Sequence, residues 1–213
     1  MRITVFGATG NVGSRVVAEA LSRGHEVTAV VRNPDRRGTL PAGVGIRTGN
    51  AENPDQVAEL SLGQDLVISA TRPAPGQEDD LVKAARGLLA GLTTTGVRLL
   101  LVGGAGSLTV PGSGGTLLVD DPAYVPAAVR PIALACNDQL AVCQAHSWAN
   151  WTYLSPPALL EPGERTGVYR RGTDELLVRP DGSSTISMED FAVALLDEAE
   201  TPRLSRARFT VAY

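Results

Sequence analysis

Gly7, Gly10 and Gly13 recur every third residue in the stretch Gly-Ala-Thr-Gly-Asn-Val-Gly. Glycines at this spacing let backbone N–H groups approach an anion with no Cβ in the way, and a helix that begins there adds its positive end. The chemistry is that of holding a pyrophosphate. A tight turn packed for its own sake is the other reading of three glycines, but it does not require this spacing. Further on, at the end of a second apolar run, stand Val31, Arg32 and Asn33, with no acid before Asp35. An acidic side chain at such a position accepts hydrogen bonds from an adenosine ribose, whereas a cation accommodates a 2′-phosphate. Arg32, with Arg36 and Arg37 behind it, therefore points to NADP, with NADPH preferred over NADH; a solvated basic loop is the alternative.

Groups able to move a proton beside such a cofactor are few. A Tyr followed four residues later by Lys lowers the Tyr pKa and makes it a proton donor. That pair is absent here: Lys83 is the only lysine, Asp79 stands four before it, and Tyr124, Tyr153 and Tyr169 are followed four on by Ala128, Pro157 and Thr173. A flat conjugated acceptor (flavin, quinone or tetrapyrrole-like) suits this constraint. It takes hydride at one ring atom and its proton from water, leaving orientation and electrostatics to the protein. His146 is the other candidate donor, with a helix-end packing role as the plainer reading. Cys136 and Cys143 lie on one predicted helix, separated by about 10 Å at 1.5 Å per residue, too far for a disulfide. Packing is their expected role. Two separated histidines and two cysteines give no metal-ligand cluster.

The elements that must position these groups alternate. Ile3 to Phe6 reads as a strand and Ser14 to Arg23 as a helix, ended by Gly24. Strands follow at Val27 to Val31 and Val44 to Thr48, then a helix near Pro54 to Leu60. Asp65 to Ala70 reads as a strand, Glu78 to Thr94 as a helix and Arg98 to Val102 as a strand. Leu108 to Val129, rich in Gly, Pro and Asp, breaks the alternation as a long connection of the kind that often carries function. Pro131 to Ser147 is helical and Trp151 to Leu154 a sixth strand. Leu159 to Gly182 is irregular or short-stranded, Ser187 to Glu200 an amphipathic helix, and Arg208 to Val211 a last edge strand. The pattern predicts an α/β fold: a Rossmann-type doubly wound parallel sheet with helices on both faces and a small C-terminal substrate-side extension.

With 213 residues and a formal charge of −4, one domain is expected over 1–213. The charge excludes the basic stripe that a nucleic-acid surface needs. The opening residues already read as a strand, which leaves no place for a secretory leader, and no apolar run nears the roughly 20 residues that span a bilayer. A cytoplasmic protein without nucleic-acid or membrane partners is expected, as a monomer or small homo-oligomer.

Several stretches together resemble the atypical short-chain dehydrogenase/reductases. They are the glycine turn, Val-Val-Arg-Asn-Pro at 30–34, Gly-Gly-Ala-Gly-Ser-Leu at 103–108, Trp-Thr-Tyr-Leu-Ser-Pro-Pro at 151–157 and Glu-Pro-Gly-Glu-Arg-Thr-Gly at 161–167. Within that family the chain is similar to the NAD(P)H-flavin reductase group, to biliverdin IXβ reductase and, more distantly, to NmrA-like proteins. The resemblance implies that Thr9, Asn11 and Val12 line the phosphates. It places Asn50, where relatives often carry Asp, and Ala51 beside the adenine, and Ala70 with Thr71 along the adjoining ribose. Pro156 falls in the turn that meets the nicotinamide carboxamide. Ser107 takes the position facing the substrate, a loop-satisfying serine being the other reading. Segments Leu108 to Pro126 and Leu159 to Arg171 are expected to wall the acceptor, with Trp148, Tyr124 and Leu159 as stacking candidates and core packing the alternative for Trp148. The resemblance implies an NADPH-dependent reductase of a flat acceptor; a non-catalytic NADP(H) sensor and a pathway-specific reductase or epimerase are the alternatives.

Overall fold

The computed structural model describes residues 1–33, 35 and 40–213. Arg36 and Arg37, two of the three cations in the NADP reading, fall outside them. The chain opens with β1 (Arg2–Phe6), α1 (Asn11–Ser22), β2 (Glu26–Val31), β3 (Gly45–Thr48), α2 (Pro54–Ser61), β4 (Leu66–Ser69), α3 (Asp80–Thr95) and β5 (Arg98–Val102). It continues with α4 (Arg130–Ala145), β6 (Trp151–Ser155), β7 (Leu159–Glu161), β8 (Arg170–Gly172), β9 (Thr185–Ser187), α5 (Met188–Glu200) and β10 (Ala207–Ala212). Eight strands form one sheet in the order β3-β2-β1-β4-β5-β6-β10-β8, and β7 pairs with β9 apart from it. Every pairing in the large sheet is parallel except that of β8 with β10.

This is a Rossmann-like α/β fold. The chain runs outward from β1 to β3, then restarts at β4 on the other side of β1, which opens a crevice beyond the carboxyl ends of those two strands. Both faces are covered, so the central strands are buried on both sides and apolar throughout. Ile3, Val5, Ile68 and Phe209 pack with α1 and α5 on one face. Val67, Leu99, Leu101 and Tyr153 pack with α2, α3 and α4 on the other.

Helix ends follow local chemistry. Asn53 caps α2 by accepting from the Asp55 and Gln56 N–H groups at 3.0 and 3.1 Å, with Pro54 in the first turn. Ser187 caps α5 through Asp190 N–H at 2.9 Å. Gly96 ends α3 in the left-handed conformation at φ 71°. The α1 helix starts three residues earlier than periodicity predicts, because Asn11, Val12 and Gly13 are already helical; its cap, Gly10, carries no side chain.

One strand expectation is corrected. The strand near Arg208 to Val211 is not an edge: β10 lies between β6 and β8. The true edge, β8, is three residues long and opens with Arg170 and Arg171. Such short, charged edges resist pairing with other chains and leave little apolar signal.

Candidate functional site

The carboxyl end of β1 runs directly into the glycine turn. Gly7 has φ +76°, and a Cβ there would stand 2.5 Å from the Ala70 carbonyl oxygen. A Cβ on Gly13 would stand 2.0 Å from the Gly7 carbonyl oxygen. Both glycines are therefore demanded by the protein's own packing of turn, helix and β4. Gly10 differs: its φ is −76°, and its nearest neighbour for a Cβ is the Gly7 oxygen at 3.3 Å. No side chain caps α1 and no acid stands in its first turn. The helix thus presents N–H groups and a positive end to the crevice. An anion with several oxygens fits that donor set.

The neighbouring strand ends supply the rest of the rim. Arg32 is exposed just past β2, and Asn50, just past β3, is half-buried. The Asn50 side-chain oxygen accepts from Glu52 N–H at 3.1 Å, and its own N–H donates to Gln56 Oε1 at 2.9 Å, so the turn is braced from both sides. Ala51 is 6% exposed. Past β4, Ala70 N–H donates to the Phe6 carbonyl at 2.9 Å, and Thr71 shares a 3.2 Å hydroxyl contact with Ser69. Thr9, Asn11 and Val12 lie on the glycine turn and first turn of α1, and Pro156 follows β6. These residues occupy one edge of the sheet.

The loop after β5 is built around Tyr153. A Cβ on Gly103 would fall 1.9 Å from the Tyr153 ring, and one on Gly104 2.5 Å from the Cys136 Cβ. The Tyr153 hydroxyl accepts from Gly104 N–H at 3.1 Å and donates to the Cys136 carbonyl at 3.0 Å. Burial holds its pKa well above the ordinary value. Tyr153 thus anchors the loop and does not face the crevice as an acid. Lys83 donates to Asp80 on the surface of α3.

From this anchor the loop carries Ser107 into a second, smaller cluster, in which Leu108, Leu118, Val125 and Leu176 are buried with Tyr124 against them. Sequence reasoning passed over two residues here: Arg208, which meets Ser107, and Asp174, which meets Arg208. Arg208 Nη1 donates to Ser107 Oγ at 2.8 Å, and its Nε donates to Asp174 Oδ1 at 3.0 Å. The Arg208 side chain is 9% exposed and that of Asp174 74%. An arginine inside the strand-like run from Ala207 to Val211 was the available signal.

Other expectations need correction. Trp148 is 85% exposed, in the turn that enters β6, at the sheet edge opposite the glycine turn. It neither stacks in the site nor packs in the core. The stretch after Leu159 does not arch over the crevice. Arg165 pairs with Glu19 of α1 at 2.7 Å, Thr166 and Gly167 N–H groups donate to Asp190 of α5 at 2.8 and 2.7 Å, and Tyr169 donates to Asp197 at 2.6 Å. The Glu-Pro-Gly-Glu-Arg-Thr-Gly motif therefore clamps the α1–α5 pair. Residues near Leu176, not those near Arg165, join the Leu108–Pro126 segment. Leu159, 47% exposed, borders a separate groove of about 810 Å³ with Val168, Arg170, Arg179 and Tyr213. His146 caps the end of α4 and accepts from Ala149 N–H at 3.3 Å. Burial pushes the Cys136 thiol to about 11 and Cys143 to about 12, which favours packing over redox chemistry.

Comparison with known proteins agrees with this geometry. The family model described as NAD(P)H-binding matches residues 7–202. A solved structure of a Burkholderia pseudomallei protein, provisionally described as exported, is 41% identical and superposes with a TM-score of 0.89 over 100% of both chains. A Bacteroides thetaiotaomicron protein provisionally described as an epimerase is 38% identical with a TM-score of 0.89, over 100% of this chain and 96% of the other. A Streptococcus pneumoniae protein provisionally described as an NADH-flavin reductase is 32% identical with a TM-score of 0.87, over 100% of this chain and 99% of the other. Among the described residues no group of histidines, cysteines and acids is placed to hold a metal ion, and no helix is long and apolar enough to cross a membrane.

Proposed function

The chain belongs to the NAD(P)H-binding family, and from that premise we propose that it is an NADPH-dependent oxidoreductase acting on a flat conjugated acceptor such as a flavin or quinone. The observation that carries this reading is the uncapped start of α1 above Gly10, the glycine of the turn that internal packing constrains least. In this reading Gly7, Gly10 and Gly13 shape the turn, and Thr9, Asn11 and Val12 line the pyrophosphate. Asn50 and Ala51 flank the adenine, Ala70 and Thr71 follow the ribose, and Pro156 orients the carboxamide. Arg32 receives the 2′-phosphate. Ser107 faces the acceptor from the loop after β5. When bound, NADPH supplies a hydride; the protein's share is orientation, exclusion of water and placement of polar groups. The similar Streptococcus pneumoniae protein supports the choice of acceptor class. We further propose that residues 1–213 act as one unit in the cytoplasm, as a monomer or small homo-oligomer, with a small molecule as partner.

The test is direct. NADPH absorbance should fall when FMN, FAD or a quinone is added to the protein; nucleotide binding without turnover would instead favour a sensor of the NADP/NADPH ratio. Arg32→Asp should move preference toward NADH by about tenfold, roughly 1.4 kcal/mol. An unchanged NADPH/NADH ratio would count against the assignment of Arg32.

A further inference from the structure

The reading above leaves unstated what replaces a tyrosine–lysine pair at the acceptor, and this inference rests on that reading. Arg208 donates to Ser107 through Nη1. A guanidinium has only donors, so at 2.8 Å the serine oxygen must accept. The hydroxyl hydrogen is thereby turned away from Arg208, and among the described residues it reaches no protein acceptor. Ser107 itself is half-buried on the loop beyond the carboxyl end of β5, so that hydrogen is available to an acceptor atom placed beside it.

The charges are placed unequally. Arg208 is 9% exposed and its partner Asp174 74%. Water screens the carboxylate but not the cation, so the field at Ser107 remains positive. Arg208 is the charged group in contact with it, and Asp174 bears on it only through Arg208. The same sheet face carries further unused donors. Tyr153 pairs with Arg208 and Ser155 with Thr210, which by the two-residue period puts all four on one side. Among the described residues the buried hydroxyls of Ser155 and Thr210 find no partner.

We propose that Ser107 and Arg208 form an oxyanion-stabilising pair for the acceptor's carbonyl oxygen. As hydride adds to a ring carbon of a quinone, forming a C–H bond, or to the N5 nitrogen of a flavin, forming an N–H bond, the displaced π pair moves through the conjugated system onto that oxygen. NADPH is oxidised and the acceptor reduced; the Ser107 O–H donates to the oxygen, and water provides the proton that neutralises it. Ser107 keeps its own proton, because a guanidinium remains protonated and cannot act as its base. Ser107 touches the acceptor, and Arg208 is a positioning residue that orients the hydroxyl and backs it with charge. The pair thus divides between two residues the hydroxyl and the cation that tyrosine and lysine otherwise supply.

The probe is 4-nitrophenol, whose phenolate mimics the oxyanion and is read by its visible absorbance. Titrated with pH on the full-length protein loaded with NADP, the bound phenol should ionise about tenfold more readily than in buffer, one pKa unit. Ser107→Ala and Arg208→Met should each abolish the shift, and Arg208→Lys should restore part of it. Because Arg208 also ties two loops together, Ser107→Ala provides the variant that leaves the fold alone. With NADPH and a quinone, Ser107→Ala should lower kcat about 10²-fold with KM for NADPH unchanged, and Arg208→Met added to it should cost nothing more. A phenol that titrates with wild-type protein as it does in buffer, or a shift that survives both single substitutions, overturns the proposal. A shift that obeys this pattern in a protein that oxidises no NADPH would sustain the oxyanion pair and remove the reductase reading.

Discussion

At the scale of single residues, the glycine turn separates two demands that sequence alone merges. A Cβ on Gly7 or Gly13 would clash with carbonyl oxygens of this same chain, whereas one on Gly10 would meet the Gly7 oxygen at 3.3 Å, a tight contact that a small shift relieves. Gly13→Ala should therefore weaken folding by about 1–3 kcal/mol through overpacking, measured by denaturant unfolding without ligand. Gly10→Ala should unfold close to wild type yet bind NADPH about tenfold more weakly, and equal losses of stability in the two variants would contradict this division. The turn was legible because its spacing is local. Arg208 and Asp174 were not, since they stand 101 and 67 residues from Ser107 in the chain; the pairing of β10 with β6 brings Arg208 to it, and the pairing of β8 with β10 brings Asp174 to Arg208.

At the scale of elements, strands and helices with sustained apolar patterns were readable to within a few residues, and those set by tertiary pairing were not. β8 spans three residues and begins with two arginines, so no run of hydrophobic residues announces it. Trp148 suggested a ring for stacking, yet its place depends on which end of β6 the α4 turn reaches. Leu159 to Arg171 failed as a wall for a similar reason: its acids and arginines find partners on α1 and α5. The α5 helix shows what such pairing contributes. Glu198, fully buried, accepts from Arg98 at 2.7 Å, from the Arg203 and Leu204 N–H groups at 3.0 Å each, and from Arg171 at 2.5 Å. Replacing the carboxylate by an amide leaves two arginines without their buried counter-charge and turns an NH2 donor toward other donors, so Glu198→Gln should destabilise by about 3–5 kcal/mol. A denaturation midpoint within error of wild type would show that this cluster is not what secures α5 to the sheet.

At the scale of the whole molecule, these carboxylates make stability depend on acid. Burial alone would raise Glu198, Glu189 and Asp190, but their hydrogen bonds and cations outweigh it and hold all three below their ordinary values. For Glu189 the opposing groups are the Gly163 N–H and Arg15; for Asp190 they are the Thr166 hydroxyl, the Gly167 N–H and Tyr213. Glu19 is lowered first by Arg165 and also by Arg23. A group whose pKa is lower in the folded chain than in the unfolded one adds stability that is complete above the unfolded value and vanishes as pH falls through the folded one. Unfolding free energy should thus be level down to the ordinary glutamate value of 4.5 and decline below it. A thermal midpoint unchanged between pH 5 and pH 3, values chosen at about the bounds of that window, would refute the account of these clusters.

Every functional step above depends on a nicotinamide dinucleotide seated on the α1 helix end, so calorimetric titration of the folded wild-type protein with NADPH tests it most directly. Saturable heat at one site per chain, weaker with NADH, is the predicted result. Absence of binding heat from both nucleotides, with the circular dichroism of an intact α/β fold, would contradict it.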